Sequence, residues 1–215
     1  VTVPTILCHA DSHRLGLGSN HGDVLHWFPK FGKSMATVRA DVAALLADQT
    51  PAQETQSADS EKTIWDFLHG KLGNAYGAAG LMGNLYAESG LRPNNLQNAY
   101  ERSLGMADAE YTAAVDSGAY TNFVRDSAGY GLAQWTYWSR KQAMLQFAQA
   151  AGKSIGDLQM QLDFLWKEIQ GYTSVLNTLK NAKSVKAASD AVLTQYERPA
   201  DQSDAVKNKR AGYGQ

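Results

Sequence analysis

Apolar residues recur at steps of three and four through most of the chain, the spacing that lines them up on one face of a helix. Behind Ser34, a good N-cap, Met35, Val38, Val42 and Leu45 follow that rule. Ile64, Trp65, Phe67, Leu68 and Leu72 mark a helix that ends at Gly73, and residues 75–88 form the next one. A helical pattern returns over residues 107–117 and again over 138–151, where Met144, Leu145, Phe147 and Ala148 face inward. Ser154 and Asp157 resemble a capping pair for a helix with Ile155, Leu158, Leu162, Leu165 and Ile169 on one side. Val185, Ala188, Val192 and Tyr196 share a face of a helix over 184–196, Pro199 breaks it, and a basic helix follows. These stripes are core, and no internal repeat is present.

The pattern lapses in three places. Residues 48–60 lack any aromatic or large aliphatic side chain and are rich in Gln, Thr, Ser and Ala, the composition of a linker. It separates a short irregular and partly helical N-terminal segment, residues 1–47, from a mainly α unit over residues 61–215. The N-terminal segment has a small core of its own in Val24, Leu25, Trp27, Phe28 and Phe31. Within the larger unit, residues 94–102 read as irregular. Gly129 and Gly131 flank Tyr130, which predicts a tight turn or small hairpin where backbone can approach a ligand.

Composition narrows the function classes. With 20 basic and 21 acidic residues the net charge is −1, which gives no electrostatic bias toward nucleic acid or an anionic membrane surface. Five Trp and ten Tyr are many for 215 residues, and flat aromatic rings are what sugar-binding grooves stack against the apolar faces of saccharides. A single cysteine, Cys8, excludes an intrachain disulfide framework. No apolar run has the roughly 18 residues needed to span a bilayer, and no targeting signal is visible. A start at Val1 rather than Met is what a piece of a larger protein would show.

Two stretches carry candidate chemistry. His9, His13, His21 and His26 crowd the N-terminal segment with Asp11 and Asp23 nearby, a set that could ligate a metal. The segment is glycine-rich and has no H-E-x-x-H pattern, so an irregular structural module is the expected outcome, with no metal and no cofactor. The second stretch is the helix that ends at Glu88. Gly77, Ala78, Ala79, Gly80 and Gly83 let another element approach its backbone, Gly90 suits the left-handed closing position, and Pro93 prevents continuation. Glu88 therefore sits where the helix carries partial negative charge, which disfavours an ionised carboxylate. A carboxyl kept neutral near neutral pH can give a proton to a leaving group.

Taken together, the motifs resemble the phage tail lysozyme family of lysozyme-like peptidoglycan hydrolases, and more distantly the goose-type lysozymes and lytic transglycosylases. The matching residues are Ile64 to Phe67, Ala78 to Leu85, Glu88-Ser89-Gly90, Gly129 to Thr136 with Arg140 after it, and Tyr196-Glu197-Arg198-Pro199. The resemblance implies a lysozyme-like domain with a small hairpin in its cleft. It makes Glu88 the catalytic acid, sets Tyr130 to Trp135 along the glycan groove, and has Gln134 contact the sugar near the scissile bond. Tyr130, Trp135, Tyr137 and Trp138 are candidates for stacking on sugars, with Trp135 the one most apt to pack into the core instead.

The bond implied is the β-1,4 link between N-acetylmuramic acid and N-acetylglucosamine in bacterial peptidoglycan. A second carboxylate would attack the anomeric carbon or activate water. Asp126 is the first candidate, against a turn-capping role, with Asp108, Glu110 and Asp116 behind it. Without a second carboxylate, Glu88 could serve as acid and base while the sugar's own 6-hydroxyl attacks, the lytic transglycosylase outcome. Ser89 reads as a capping hydroxyl, and Glu197 as the partner of Arg198 in a structural ion pair. A non-catalytic wall-binding or tail module on the same scaffold is the competing class. Either class acts on the cell wall, from the virion or after secretion, without membrane insertion and possibly beside other modules of a tail or lysin protein.

Overall fold

The computed structural model describes residues 6–19, 21, 23–47 and 51–215, and the chain divides into two units, residues 1–56 and 57–215. The stretch before residue 6 and residues 48–50 of the expected linker lie outside the described residues. Among the described residues the architecture is helical, with no β-strand.

In the first unit, α1 (His9–Arg14), α2 (Asp23–Trp27), a 3-10 turn over Phe28–Phe31 and α3 (Met35–Ala47) follow one another. Among its described residues the buried groups are Cys8 and Asp11, and the Asp11 carboxylate accepts from the Cys8 N–H and from the Arg14 and Arg39 guanidiniums. The expected aromatic core is not buried. The Trp27 ring meets Phe31 at 4.7 Å, yet Leu25, Trp27 and Phe31 are 45%, 50% and 63% exposed. His9 and His21 stack edge to face, and among the described residues no group of three or more metal-ligating side chains converges.

The helix α4 (Pro51–Leu72) covers most of the stretch expected to be a linker. Pro51 occupies the first helical position, where its missing N–H costs nothing, and Ala, Gln and Glu propagate the helix without needing apolar residues. The second unit continues with α5 (Ala75–Ser89), α6 (Asn98–Leu104), α7 (Asp108–Asp116), α8 (Trp138–Ala151), α9 (Leu158–Gln170), α10 (Thr173–Asn181), α11 (Val185–Val192), a π-helical turn over Leu193–Glu197 and α12 (Asp204–Tyr213). The helix α6 occupies residues read as irregular, and α10 fills a gap in which the sequence suggested no element.

The second unit is built around α5, which packs against α10, α11 and α12. Asn74 caps its first turn by accepting from the Gly77 N–H, and Gly90 closes it at φ 61°. Ala78, Leu81 and Leu85 are fully buried on one side. On another side the glycines make room for backbone: a Cβ on Gly80 would lie 2.7 Å from the Ser189 nitrogen, and one on Gly83 would lie 2.6 Å from the Arg210 carbonyl oxygen. This close approach brings α12, and with it the Arg210 side chain, to the C-terminal end of α5.

Candidate active site

Glu88 occupies the last turn of α5, and its side chain is 19% exposed. The next residue, Ser89, is buried and fixes this end of the helix, donating its hydroxyl to the Leu85 and Leu132 carbonyls at 3.1 and 3.0 Å. Leu132 lies in the glycine-flanked turn, so the two stretches singled out in the sequence meet directly. The expected hairpin is reduced to isolated bridges, Tyr130 with Trp135 and Tyr130 with Leu96. Arg210 from α12 supplies what the helix-end argument omitted: its Nη2 lies 2.6 Å from Glu88 Oε1, and its Nη1 donates to Asn84 Oδ1 at 3.3 Å.

Backbone strain gathers around the same segments. Among the described residues, Leu91, Ser127, Gln134 and Arg198 are the non-glycine positions with positive φ. Each lies within three residues of Glu88, Asp126, Trp135 or Glu197, and such conformations cost on the order of 1 to 3 kcal/mol unless the surroundings impose them.

The aromatic residues assigned to the groove divide. Tyr130 and Trp135 are fully buried, and so cannot stack on a sugar in this conformation. The Tyr130 ring contacts Tyr111 and Phe123, and its hydroxyl lies 2.6 Å from the Thr112 hydroxyl. Burial pushes its ionisation above the usual tyrosine range. Trp135 packs edge to face on Phe164 and donates its indole N–H to Glu168. Tyr137 and Trp138 are the open pair, 63% and 45% exposed with ring centroids 6.0 Å apart. Gln134 donates its amide to the Asn95 and Gly131 carbonyls at 3.0 and 3.2 Å, holding the turn closed.

Asp126 is not an open carboxylate. It is sealed against Lys141, their side chains 2% and 0% exposed with Nζ 2.5 Å from Oδ1, and it accepts from the Tyr111 hydroxyl at 2.5 Å. Burial lowers the Lys141 ionisation, and the Asp126 contact opposes that. The other carboxylates weighed as partners of Glu88 also have structural work. Asp108 accepts from Arg92 and the Leu96 N–H, Glu110 from the Ala107 N–H, and Asp116 from Ser154 and the Ile155 N–H.

Two residues acquire weight that the sequence did not give them. Glu168 on α9 gathers four donors: Trp135 Nε1 at 2.7 Å, Arg140 Nε and Nη2 both at 2.9 Å, and the Tyr196 hydroxyl at 2.8 Å. Three of the residues that make the sequence distinctive thus converge on one half-buried carboxylate, which a helical stripe of apolar positions does not reveal. The second is Glu197. Among the described residues no ion pair joins it to Arg198; burial first and the Glu88 charge second push its carboxyl up to about 8, with Arg140 and Arg210 opposing. Beyond the carboxyl groups, Tyr86 and Tyr213, 48% and 42% exposed with centroids 4.8 Å apart, line a hollow of about 470 Å³ with Trp65, Met82 and Leu91.

The family described as phage tail lysozyme matches residues 59–215. No curated protein matches the chain.

Proposed function

The chain belongs to the phage tail lysozyme family, and from that premise we propose that it cleaves the β-1,4 glycosidic bond between N-acetylmuramic acid and N-acetylglucosamine, with Glu88 as general acid. A lysozyme-like, peptidoglycan-degrading role follows from the family itself. The observation that supports Glu88 is its position: a carboxyl 19% exposed at the end of α5, joined through Ser89 to the glycine-flanked turn and held by Arg210. Breaking the bond develops positive charge on the sugar ring and negative charge on the leaving oxygen, so protonating that oxygen is the main demand. Exposed rings at Tyr137 and Trp138 offer flat apolar faces for saccharide, and Gln134 shapes the turn beside them. The cell wall, met from the virion or from outside the cell, is the site of action, and any further modules of a tail or lysin protein would deliver the chain to it.

The fate of the sugar is a second question. Glycosidases with two open carboxyls hold them roughly 5 Å apart when one attacks the sugar and roughly 6.5 to 9.5 Å apart when one activates water. Asp108, Glu110, Asp116 and Asp126 are all engaged elsewhere, which favours a scheme with Glu88 as both acid and base. In that scheme the sugar's 6-hydroxyl attacks and an anhydro end group forms. Clearing of purified cell walls by wild type and by Glu88→Gln tests the assignment: loss of clearing in a folded variant supports it, and equal clearing overturns it. Mass spectrometry of the released fragments separates the routes, since the anhydro product is lighter by one water.

A further inference from the structure

Asn84 lies on α5 one helical turn before Glu88, and it is fully buried. A polar side chain enclosed in a helix of Ala, Gly and Leu costs free energy unless its amide is hydrogen-bonded. Both ends of this amide are bonded. Nδ2 shares its hydrogens among the Gly80 carbonyl at 2.9 Å and the Ser189 hydroxyl and carbonyl at 3.0 and 3.2 Å, while Oδ1 accepts from Arg210 Nη1 at 3.3 Å. The two ends cannot be exchanged, because carbonyl oxygens only accept and a guanidinium only donates. An amide satisfies both neighbours at once, which neither an ionised aspartate nor a leucine of similar size can do.

The partners of Asn84 are the residues that the glycines of α5 admit. A Cβ on Gly80 would lie 2.7 Å from the Ser189 nitrogen, and one on Gly83 would lie 2.6 Å from the Arg210 carbonyl oxygen. Close approach at Gly80 thus seats Ser189 of α11, close approach at Gly83 seats Arg210 of α12, and Asn84 bonds the side chains of the same two residues. The far end of this series is Glu88, whose Oε1 lies 2.6 Å from Arg210 Nη2. One guanidinium therefore spans two residues a helical turn apart, Nη1 on the amide and Nη2 on the carboxyl. A long arginine side chain held by one nitrogen is free to pivot, and a second fixed acceptor removes that freedom.

We propose that Asn84 is a positioning residue for glycosidic cleavage that acts through Arg210: its amide fixes the guanidinium so that Nη2 stays on Glu88 while the carboxyl gives up its proton. This rests on Glu88 being the acid. Protonating the leaving oxygen turns a neutral carboxyl into an anion at a site where its side chain is only 19% exposed. A cation already in place stabilises that anion without reorganising, whereas one that must first swing in loses part of the gain. Being fully buried, Asn84 meets no substrate itself, and water does not compete for its amide. Its hold on Arg210 is backed by the Ser189 and Gly80 contacts, which belong to the packed backbones of α11 and α5.

The test is a double-mutant cycle on the whole chain, with wall clearing measured per folded molecule beside a thermal melt and the side-chain N–H spectrum of ¹⁵N-labelled protein. Wild type is expected to show resolved Arg210 Nη–H signals, identified by their loss in Arg210→Gln, because a guanidinium bonded through both nitrogens turns slowly. In Asn84→Ala those signals are expected to average and clearing to slow by about fivefold or more. In the Arg210→Gln background the same change is expected to alter clearing by less than about twofold. Asn84→Leu, which fills the space the amide leaves, serves in the cycle if Asn84→Ala does not fold. Equal slowing in both backgrounds, or Arg210 signals that stay resolved once the amide is gone, overturns the proposal. Averaged Arg210 signals in wild type overturn it as well, and that measurement needs no variant at position 84. Should Glu88→Gln clear walls as fast as wild type, the acid assignment falls by itself, whereas the Arg210 signals report the Asn84 contact whether or not the chain clears walls.

Discussion

Arg210 meets Glu88 with Nη2 2.6 Å from Oε1, their side chains only 11% and 19% exposed. A guanidinium placed there stabilises the carboxylate that Glu88 becomes once its proton has gone to the leaving oxygen. Removing it leaves that charge without a partner. Breaking a buried pair from one side costs roughly 3 to 5 kcal/mol, and partial exposure of this one reduces the figure to about 1 to 2 kcal/mol. Arg210→Gln is therefore expected to lower stability by about that amount in denaturant titrations and to slow wall clearing by about tenfold or more. Stability loss with undiminished clearing would show that the pair is structural only.

The approach of α12 to α5 depends on Gly83. Alanine is a better helix former than glycine by about 1 kcal/mol, so propensity alone makes Gly83→Ala stabilising. The geometry reverses the sign. A Cβ there would lie 2.6 Å from the Arg210 carbonyl oxygen and 2.8 Å from the Gly214 nitrogen, both backbone atoms that cannot rotate away. Overpacking of this kind costs about 1 to 3 kcal/mol and would push α12 outward, carrying Arg210 from Glu88. The expected result is a lower melting temperature together with reduced clearing, measured on the same preparation.

For Asp126 the two roles predict different outcomes. As the partner of the fully buried Lys141 it holds a cation that has no water to fall back on, and its neighbours Tyr111 and Tyr120 donate to the same carboxylate. Asp126→Asn is expected to destabilise the chain by about 3 kcal/mol or more, a large share of a domain's total stability. The folded fraction is expected to clear walls at about the wild-type rate per molecule, within roughly a factor of two. A stable variant with lost activity would instead return Asp126 to the chemistry.

The sequence carried the helices with strong apolar spacing, because burying a stripe leaves a period that can be counted. Leu162, Leu165 and Ile169 on α9 are buried as that period requires, and Asp157 caps the helix by accepting from the Met160 N–H at 2.8 Å. The α6 helix, with no buried residue, left no stripe to count. Of the site, the Glu88 helix end and its glycine row were legible from local chemistry. The partner was not: Arg210 comes from more than 100 positions away in the chain, brought in by packing that no local pattern encodes. Tyr130 misled for a related reason, whereas Trp135 packs into the core as its sequence reading allowed. An aromatic between glycines looks open to a ligand, but here the glycines give close backbone turns that fold the ring into the core.

Glu197 also gives stability a definite dependence on pH. In an unfolded chain a glutamate titrates near about 4.3, whereas in the folded chain this one is pushed up to about 8. Between those values the folded chain keeps a proton that the unfolded chain has released. Unfolding then releases a proton, so stability falls as pH rises, by roughly 1.4 kcal/mol per unit for this group. The contribution is fully present below about pH 4.3 and is gone once the pH has passed about 8. Glu197→Gln carries no such proton, so its stability relative to wild type is expected to rise steadily across that interval and then level off. Denaturant unfolding of both chains at several pH values checks this, and because every other titrating group is common to the two, a difference that stays flat would show that Glu197 ionises in the folded chain as it does in water.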